Sequence, residues 1–462
     1  MGKMAKLFGT DGIRGKADIF PMTSELVKKV GMAVGVHFGS RRPDTPMPSE
    51  RHRPLIVVGR DTRQSGPQLE AALTAGLCAA DARVRLAGVM PTPAVAYLCR
   101  QMQADAGIVI SASHNPYEDN GVKIFDAHGR KLSVAEENAL ESLILDNTLA
   151  ASNFTANRSE QIGHVADGVE RYVSFLASMV EDHKIFKPME IALDCANGAT
   201  SQAAPALFKR LGAARVHALF CAPDGVNINA ECGSEHPEAL CQQVVVGRFS
   251  VGLAFDGDGD RLVAVDEKGR VISGDQVSAI CAAYLQKTNR LDHHRVVATV
   301  MSNIGLSLAL KKIGVELLLT DVGDRHVMEK MMATGAVWGG ENSGHMIYSR
   351  CHSTGDGLLS ALILISAMAA ANQSLSCLAD LVPMFPQAMI NVTVKSKPPI
   401  DTVEPVRSAI AQVERQLAGA GRVLVRYSGT QSVCRVMVEG PTEPVTQALC
   451  GQIAEAVASS LG

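Results

Sequence analysis

The stretch LIVVGRDTRQSGPQLEAALTAGLCAADARVRLAGVMPTPAVAYLCRQMQADAGIVISAS, residues 55–113, decides the fold class. Three short apolar runs, 55–59, 84–89 and 107–110, read as buried strands. Between them the spacing predicts a helix over 69–80 and another after Pro93. Strand and helix in alternation imply an α/β layer with crossover helices, whose ligand sites lie in the loops at the carboxyl ends of the strands. The run 107–110 ends in such a loop, a small-residue turn that holds Ser113 ahead of His114, Asn115 and Pro116. A second turn is expected at Asp119, Asn120 and Gly121, after which Lys123 opens another β-like segment. A hydroxyl, an imidazole and an ammonium then converge, which is an arrangement for nucleophilic group transfer.

Working outward, FGTDGIRG at 8–15 reads as a tight loop in which glycine lets a ligand approach the backbone and Arg14 is the strong cation, suited to phosphate. A helix is expected over 24–38, and 40–54 reads as an exposed loop. A helix over 133–145 carries a capping box, Ser133 with Glu136. The polar stretch 153–163 reads as a linker, followed by a helix over 167–183 and a second unit ending in VGLAFDGDGDR. A hairpin over 263–272 opens a third unit, which contains a long apolar helix from about Asp356. Beyond 381–386 the texture changes to strand, helix, two strands and a terminal helix, a smaller α+β unit. The expected architecture is therefore three related α/β domains with mixed sheets, 1–162, 163–261 and 262–382, plus a C-terminal α+β domain, 383–462.

Composition excludes several functions. With 462 residues, 47% hydrophobic and 20% charged, the chain is a folded multidomain protein. A net charge of -3 provides no global positive field for nucleic acid or anionic membrane. The 11 cysteines, without a CxxC pair, argue against a disulfide framework or a zinc ribbon. No apolar signal core precedes residues 6–15, and the longest apolar run, 358–371, is too short to span a bilayer. A cytoplasmic location is expected.

Asp256, Asp258 and Asp260 are separated only by glycines. At a strand end the period of two turns all three to one side. Two carboxylates about 4 Å apart repel by about 4 kcal/mol at an effective dielectric of about 20, so the trio calls for a cation or a raised pKa. Mg²⁺, a hard ion that prefers oxygen, fits. An EF-hand loop counted from Asp256 would place Glu267 twelfth, but Arg261 occupies the sixth place, where the turn requires glycine, and the flanks alternate like strands.

These motifs, with GENSGH at 340–345 and RYSGT at 426–430, occur in the order found in the α-D-phosphohexomutase superfamily. With FGTDGIRG at the start, the chain most resembles the superfamily's bacterial phosphoglucosamine mutases, over essentially its whole length. The resemblance implies four domains around a central cleft and a phosphate on Ser113. It implies an isomerase that converts glucosamine 6-phosphate to glucosamine 1-phosphate through glucosamine 1,6-bisphosphate, which is both intermediate and activator, for peptidoglycan precursor synthesis. Ser113, Asp256, Asp258 and Asp260 would hold Mg²⁺, with Arg14 and Arg261 adding positive charge. Lys123, as an amine of lowered pKa, and His114 would handle protons, Lys123 being the first choice of base.

Glu341 and Ser343 match the sugar-hydroxyl contacts, with His345 beside them. Asn342 is a polar amide where phosphoglucosamine mutases usually carry Gln and other branches commonly Met. Arg426, Ser428, Gly429, Thr430 and Arg435 would cradle the phosphate that chemistry leaves untouched. Gln431 and Ser432 depart from the family's usual Glu-Pro. A phosphomannomutase or phosphoglucomutase, or an inactive sugar-phosphate-binding relative, are the alternatives. The implied partner is a small sugar phosphate, with no nucleic acid or membrane and a homodimer as a possible assembly.

Overall fold

The computed structural model describes residues 6–9, 11–40, 53–145, 161–428 and 432–462. They form two compact units, Met1–Val300 with Leu318–Ala379, and Met301–Leu317 with Asp380–Gly462.

The first sheet is built from β1 (Ile13–Lys16), β2 (Leu55–Arg60), β3 (Arg83–Val89), β4 (Ala106–Ile110), β5 (Asp119–Asp126) and β6 (Ile162–His164), in the order β1-β5-β4-β2-β3-β6. The β2, β3, β4 and β6 pairings are parallel, whereas β5 runs antiparallel to β4 and β1. Helices Gly66–Ala79 and Thr92–Gln101 make the expected crossovers. Every residue of β4 is buried, as a strand covered on both faces requires. Ser133 and Glu136 form the predicted capping box ahead of helix Val134–Leu145.

A second sheet contains β7 (Glu190–Asp194), β8 (Arg215–Leu219), β9 (Val251–Phe255), β10 (Leu262–Val265) and β11 (Val271–Ile272), in the order β11-β10-β9-β7-β8. A third has β12 (Arg295–Thr299), β13 (Glu316–Thr320), β14 (Trp338–Gly340) and β15 (Met346–Tyr348), in the order β13-β12-β14-β15. The apolar helix Gly357–Ala371 is capped by Asp356, whose carboxylate accepts from Leu359 N at 3.0 Å. Among the described residues no helix is long and apolar enough to cross a membrane.

In the second unit, β16 (Gln387–Thr393), β17 (Arg422–Tyr427) and β18 (Val433–Glu439) form an antiparallel sheet, β16-β18-β17. Its core joins Val436 and Val438 to Val406 and Val413 of helix Glu404–Leu417 and to Ile453 and Val457 of helix Glu443–Leu461.

Long-range pairing changes several local readings. Asp119, Asn120 and Gly121 are not a turn but the start of β5, because β1 pairs with them, Arg14 opposite Gly121. The same pairing makes the end of FGTDGIRG a strand. The hairpin read as opening the third unit instead completes the second sheet, since Leu262 pairs with Phe255 and Val265 with Gly252. The end of the expected linker, at 162–163, belongs to β6 and pairs with β3. The helix expected over 167–183 spans only Gly168–Ser178, and a 3-10 turn, His183–Phe186, follows. The rest of that linker, 153–160, and most of the loop expected over 40–54 lie outside the described residues.

Helices Ser24–Ser40 and Gly66–Ala79 approach so closely that a Cβ on Gly31 would lie 2.2 Å from Leu73 O, and one on Gly76 2.0 Å from Lys28 O. Gly76→Ala is therefore expected to destabilise the protein by about 1–3 kcal/mol in urea unfolding. Gly451→Ala, in a helix with open space at the Cβ, should be neutral or stabilise by up to about 1 kcal/mol.

Candidate active site

Ser113 follows β4 with φ 55°, a left-handed conformation that costs a residue with a Cβ about 1–3 kcal/mol. Four bonds hold its peptide there. Ser113 N donates to Ser111 Oγ at 2.9 Å, and Ser111 Oγ donates to Asp61 at 2.6 Å. Ser113 O accepts from Arg63 at 3.0 Å and from Asn229 at 2.9 Å. The side chain donates to Asp256 Oδ2 at 2.5 Å, and His114 Nδ1 lies 3.3 Å from Oγ.

Asp256, Asp258 and Asp260 occupy the loop between β9 and β10, and all three are buried. One oxygen from each lies within 4.8 Å of the others. Gly257 permits this approach, since a Cβ there would lie 2.6 Å from Ser113 O. Asp258 Oδ2 accepts from Thr92 Oγ1 at 2.5 Å and from Lys123 Nζ at 2.8 Å. Asp258 Oδ1 and Asp260 Oδ1 are buried without a hydrogen-bond partner among the described residues. Unsatisfied anionic oxygens converging on one point beside a serine hydroxyl fit a hard divalent cation. Burial and the neighbouring Asp260 and Asp258 push the Asp256 carboxyl well above its usual range.

Lys123 projects from β5 into the same cluster. Its ammonium, 1% exposed, lies 3.1 Å from Asp11, 2.8 Å from Asp258 and 3.2 Å from Asp260. Burial works to lower its pKa, but the three carboxylates outweigh it and hold the pKa well above the ordinary value. The expected amine of lowered pKa is thus a firmly held ammonium, because the sequence does not reveal which carboxylates surround it.

Ser113 and Asp260 open on a cleft of about 620 Å³ in the first unit. Arg14, Ser113, His114, Asp260 and Arg261 line it together with Glu341, Asn342, Ser343 and His345. Arg14 pairs with Asp11 and donates to Ala112 O at 3.3 Å. Arg261 anchors its main chain on Asp256 at 3.2 Å and reaches Glu235 at 3.3 Å. Burial, with Arg261 nearby, lowers the His114 pKa and favours the neutral ring. Glu341 accepts from Gly323 N at 3.0 Å, and His345 Nε2 lies 3.7 Å from Asp324. Lys131 joins Asp11 to Asp324.

Arg426 and Arg435 lie in the second unit as direct cross-strand partners on β17 and β18. Like charges so placed repel, and an anion relieves them. Ser428 N donates to Val433 O at 2.9 Å, and Ser428 O accepts from Lys397 Nζ at 2.7 Å. Gly429, Thr430 and Gln431 lie outside the described residues.

Sequence profiles of the phosphoglucomutase/phosphomannomutase family match the chain in four consecutive pieces. Its three alpha/beta/alpha domains match residues 5–151, 170–269 and 273–385, and its C-terminal domain matches 389–456. The chain belongs to this family. A phosphoglucosamine mutase of Syntrophus aciditrophicus is 49% identical over 459 residues, covering 99% of this chain and 100% of that one. Among solved structures, a phosphoglucomutase/phosphomannomutase family protein from Burkholderia thailandensis superposes with a TM-score of 0.80 at 24% identity, covering 98% of this chain and 97% of that one. An N-acetylphosphoglucosamine mutase from Aspergillus fumigatus, in complex with GlcNAc-6P and magnesium, has a TM-score of 0.67 at 16% identity, covering 99% of this chain and 96% of that one. The two structures share the fold.

Several residues that hold Ser113 and the acidic cluster in place carry no separate sequence motif. Arg63 and Asn229 belong to none of the motifs above, although Arg63 lies in the loop that follows β2, where ligand loops are expected. Asp11, Lys131 and Asp324 come together only through tertiary folding.

Without bound metal, Lys123 is the buried counter-charge of the acidic cluster. Lys123→Met is expected to lose about 3–5 kcal/mol in urea unfolding with chelator present. A variant as stable as the native protein would refute that role.

Proposed function

We propose that the chain interconverts glucosamine 6-phosphate and glucosamine 1-phosphate, feeding UDP-N-acetylglucosamine and peptidoglycan synthesis, with Ser113 as the phosphoryl carrier. One observation carries the reading: the Ser113 hydroxyl bonds to Asp256 within the carboxylate trio and opens on the cleft that holds Glu341 to His345. The identity to phosphoglucosamine mutases supports the choice of substrate.

Asp256, Asp258, Asp260 and phosphorylated Ser113 would hold Mg²⁺, which when bound neutralises charge on the transferring phosphoryl group. In the first transfer the P–Oγ bond of Ser113 breaks and a bond from phosphorus to the sugar's C1 oxygen forms, giving glucosamine 1,6-bisphosphate. The same bisphosphate primes unphosphorylated enzyme. The hydroxyl proton goes to His114, the neutral ring nearest Oγ. Lys123, held as an ammonium while the cluster is metal-free, lies beside the transferring group. Arg14 and Arg261 add positive charge there.

The bisphosphate then turns over, and its 6-phosphate passes to Ser113: the P–O6 bond breaks, a P–Oγ bond forms and the C6 oxygen takes back the proton from His114, releasing glucosamine 1-phosphate. Glu341, Ser343 and His345 hold the sugar hydroxyls, and Asn342 favours an amino sugar. Arg426, Ser428, Gly429, Thr430 and Arg435 hold the phosphate that is not reacting. We divide the chain into four units, 1–164, 165–272, 273–382 and 383–462, which keeps β6 with the first sheet and the hairpin after Arg261 with the second. The resemblance also carries a cytoplasmic location and a homodimer as proposals, which fractionation and sedimentation velocity test.

Incubation with glucosamine 6-phosphate, Mg²⁺ and glucosamine 1,6-bisphosphate should give glucosamine 1-phosphate by NMR. The kcat/KM should exceed that for mannose and glucose 6-phosphates; the reverse order would make the chain a phosphomannomutase or phosphoglucomutase. Ser113→Ala should abolish turnover in a folded protein, and wild-type turnover there would sink the mechanism. Arg426→Ala should raise KM about 10-fold or more with kcat little changed, since it removes binding common to ground and transition states.

A further inference from the structure

Arg63 is fully buried and does not line the cleft, yet its side chain is spent almost wholly on one turn. A guanidinium has five N–H groups. Nε donates to Asp61 Oδ2 at 2.8 Å. Nη1 donates to Pro116 O and to Asp119 O, the latter at 2.9 Å. Nη2 donates to Ser113 O at 3.0 Å and Asn115 O at 2.8 Å. All five donors are therefore used, four of them on main-chain carbonyls, three in the turn that begins at Ser113 and the fourth, Asp119 O, at the start of β5. Asp61 neutralises the charge and also accepts from Ser111, which in turn accepts from Ser113 N. The bonds close a ring around the Ser113 peptide, gripping it at both N–H and C=O. Asn229, on a loop between β8 and β9, adds donors to the same carbonyls of Ser113 and Asn115, at 2.9 and 3.0 Å.

We propose that Arg63 is a positioning residue for the phosphoryl carrier, holding the Ser113 peptide left-handed so that Oγ stays aimed at the carboxylate trio through both transfers. The proposal rests on Ser113 carrying the phosphoryl group. Left-handed backbone at a non-glycine residue persists only where its surroundings over-determine it, and here the planar fork of one arginine supplies most of that constraint. Lysine cannot replace it, since three donors on one nitrogen cannot reach four carbonyls spread over the turn. A group that sets the carrier's aim without touching the sugar acts on kcat and leaves KM alone.

The experiment primes wild-type and variant proteins with glucosamine 1,6-bisphosphate, measures the phospho-Ser113 fraction by intact mass and peptide mapping, and reports kcat per phosphorylated site. For Arg63→Ala that kcat is expected to fall about 100-fold, the scale of an ångström-sized misplacement, with KM for glucosamine 6-phosphate within about 3-fold of wild type. Added guanidinium should restore part of the loss, because it refills the vacated fork. A phosphorylated Arg63→Ala protein turning over like wild type would overturn the proposal, as would a KM rising in step with the loss of kcat, or a loss that guanidinium leaves untouched. If Arg63→Ala does not fold, Arg63→Lys and Asn229→Ala take its place: a lowered kcat at constant KM supports the assignment, and wild-type kcat in both refutes it. Wild-type protein that takes no phosphate on Ser113 would instead bring down the functional reading itself, and this assignment with it.

Discussion

Charge balance under burial is the constraint on which the first unit's cleft depends. Asp256, Asp258 and Asp260 are removed from water within 4.8 Å of one another. Such a cluster is tolerable only if cations reach it, because a buried unpaired charge costs several kcal/mol. Lys123 reaches it from β5, and its other contact, Asp11, brings in the segment ahead of β1. Lys131 ties Asp11 to Asp324, which leads the helix Asp324–Thr334. One chain of ion pairs thus links the first sheet, the loop after β9 and the loop after β13.

The same economy of charge bears on catalysis. Phosphoryl transfer asks little covalent chemistry of a protein and much positioning. The hydroxyl that would carry the group sits on a peptide locked from both sides, next to unsatisfied carboxylate oxygens suited to a cation. Across the cleft lining, Arg14 and Arg261 are themselves tethered by Asp11 and Glu235, so their charge is aimed before any ligand arrives. In the second unit a different device appears: Arg426 faces Arg435 across two strands, an arrangement that favours a bound anion.

The local chemistry of the site was legible wherever it depended on residue types held close in sequence. Glycines between Asp256, Asp258 and Asp260 leave few structures except a tight carboxylate cluster, and the cluster is there. Ser113 and His114 are neighbours, so their convergence needed no tertiary information. The four family pieces follow the order in which the motifs occur. The protonation of Lys123 is not legible in sequence, since an amine's pKa depends on partners 112 and more positions away, here carboxylates. Arg63 is silent in sequence for a related reason: four of its five acceptors are main-chain carbonyls, which leave no mark in a list of side chains.

By itself, then, the sequence determined the alternation of strand and helix, the composition of the Asp256–Asp260 and Glu341–His345 loops and the place of Ser113 after a strand, because period, turn chemistry and residue type act over a few positions. Only the tertiary structure decided that Asp119 to Gly121 extend a strand, that the hairpin after Arg261 completes the second sheet, and that three carboxylates surround Lys123. Each of these depends on pairing or on electrostatic distance between segments far apart in the chain, and short-range pattern carries no record of either.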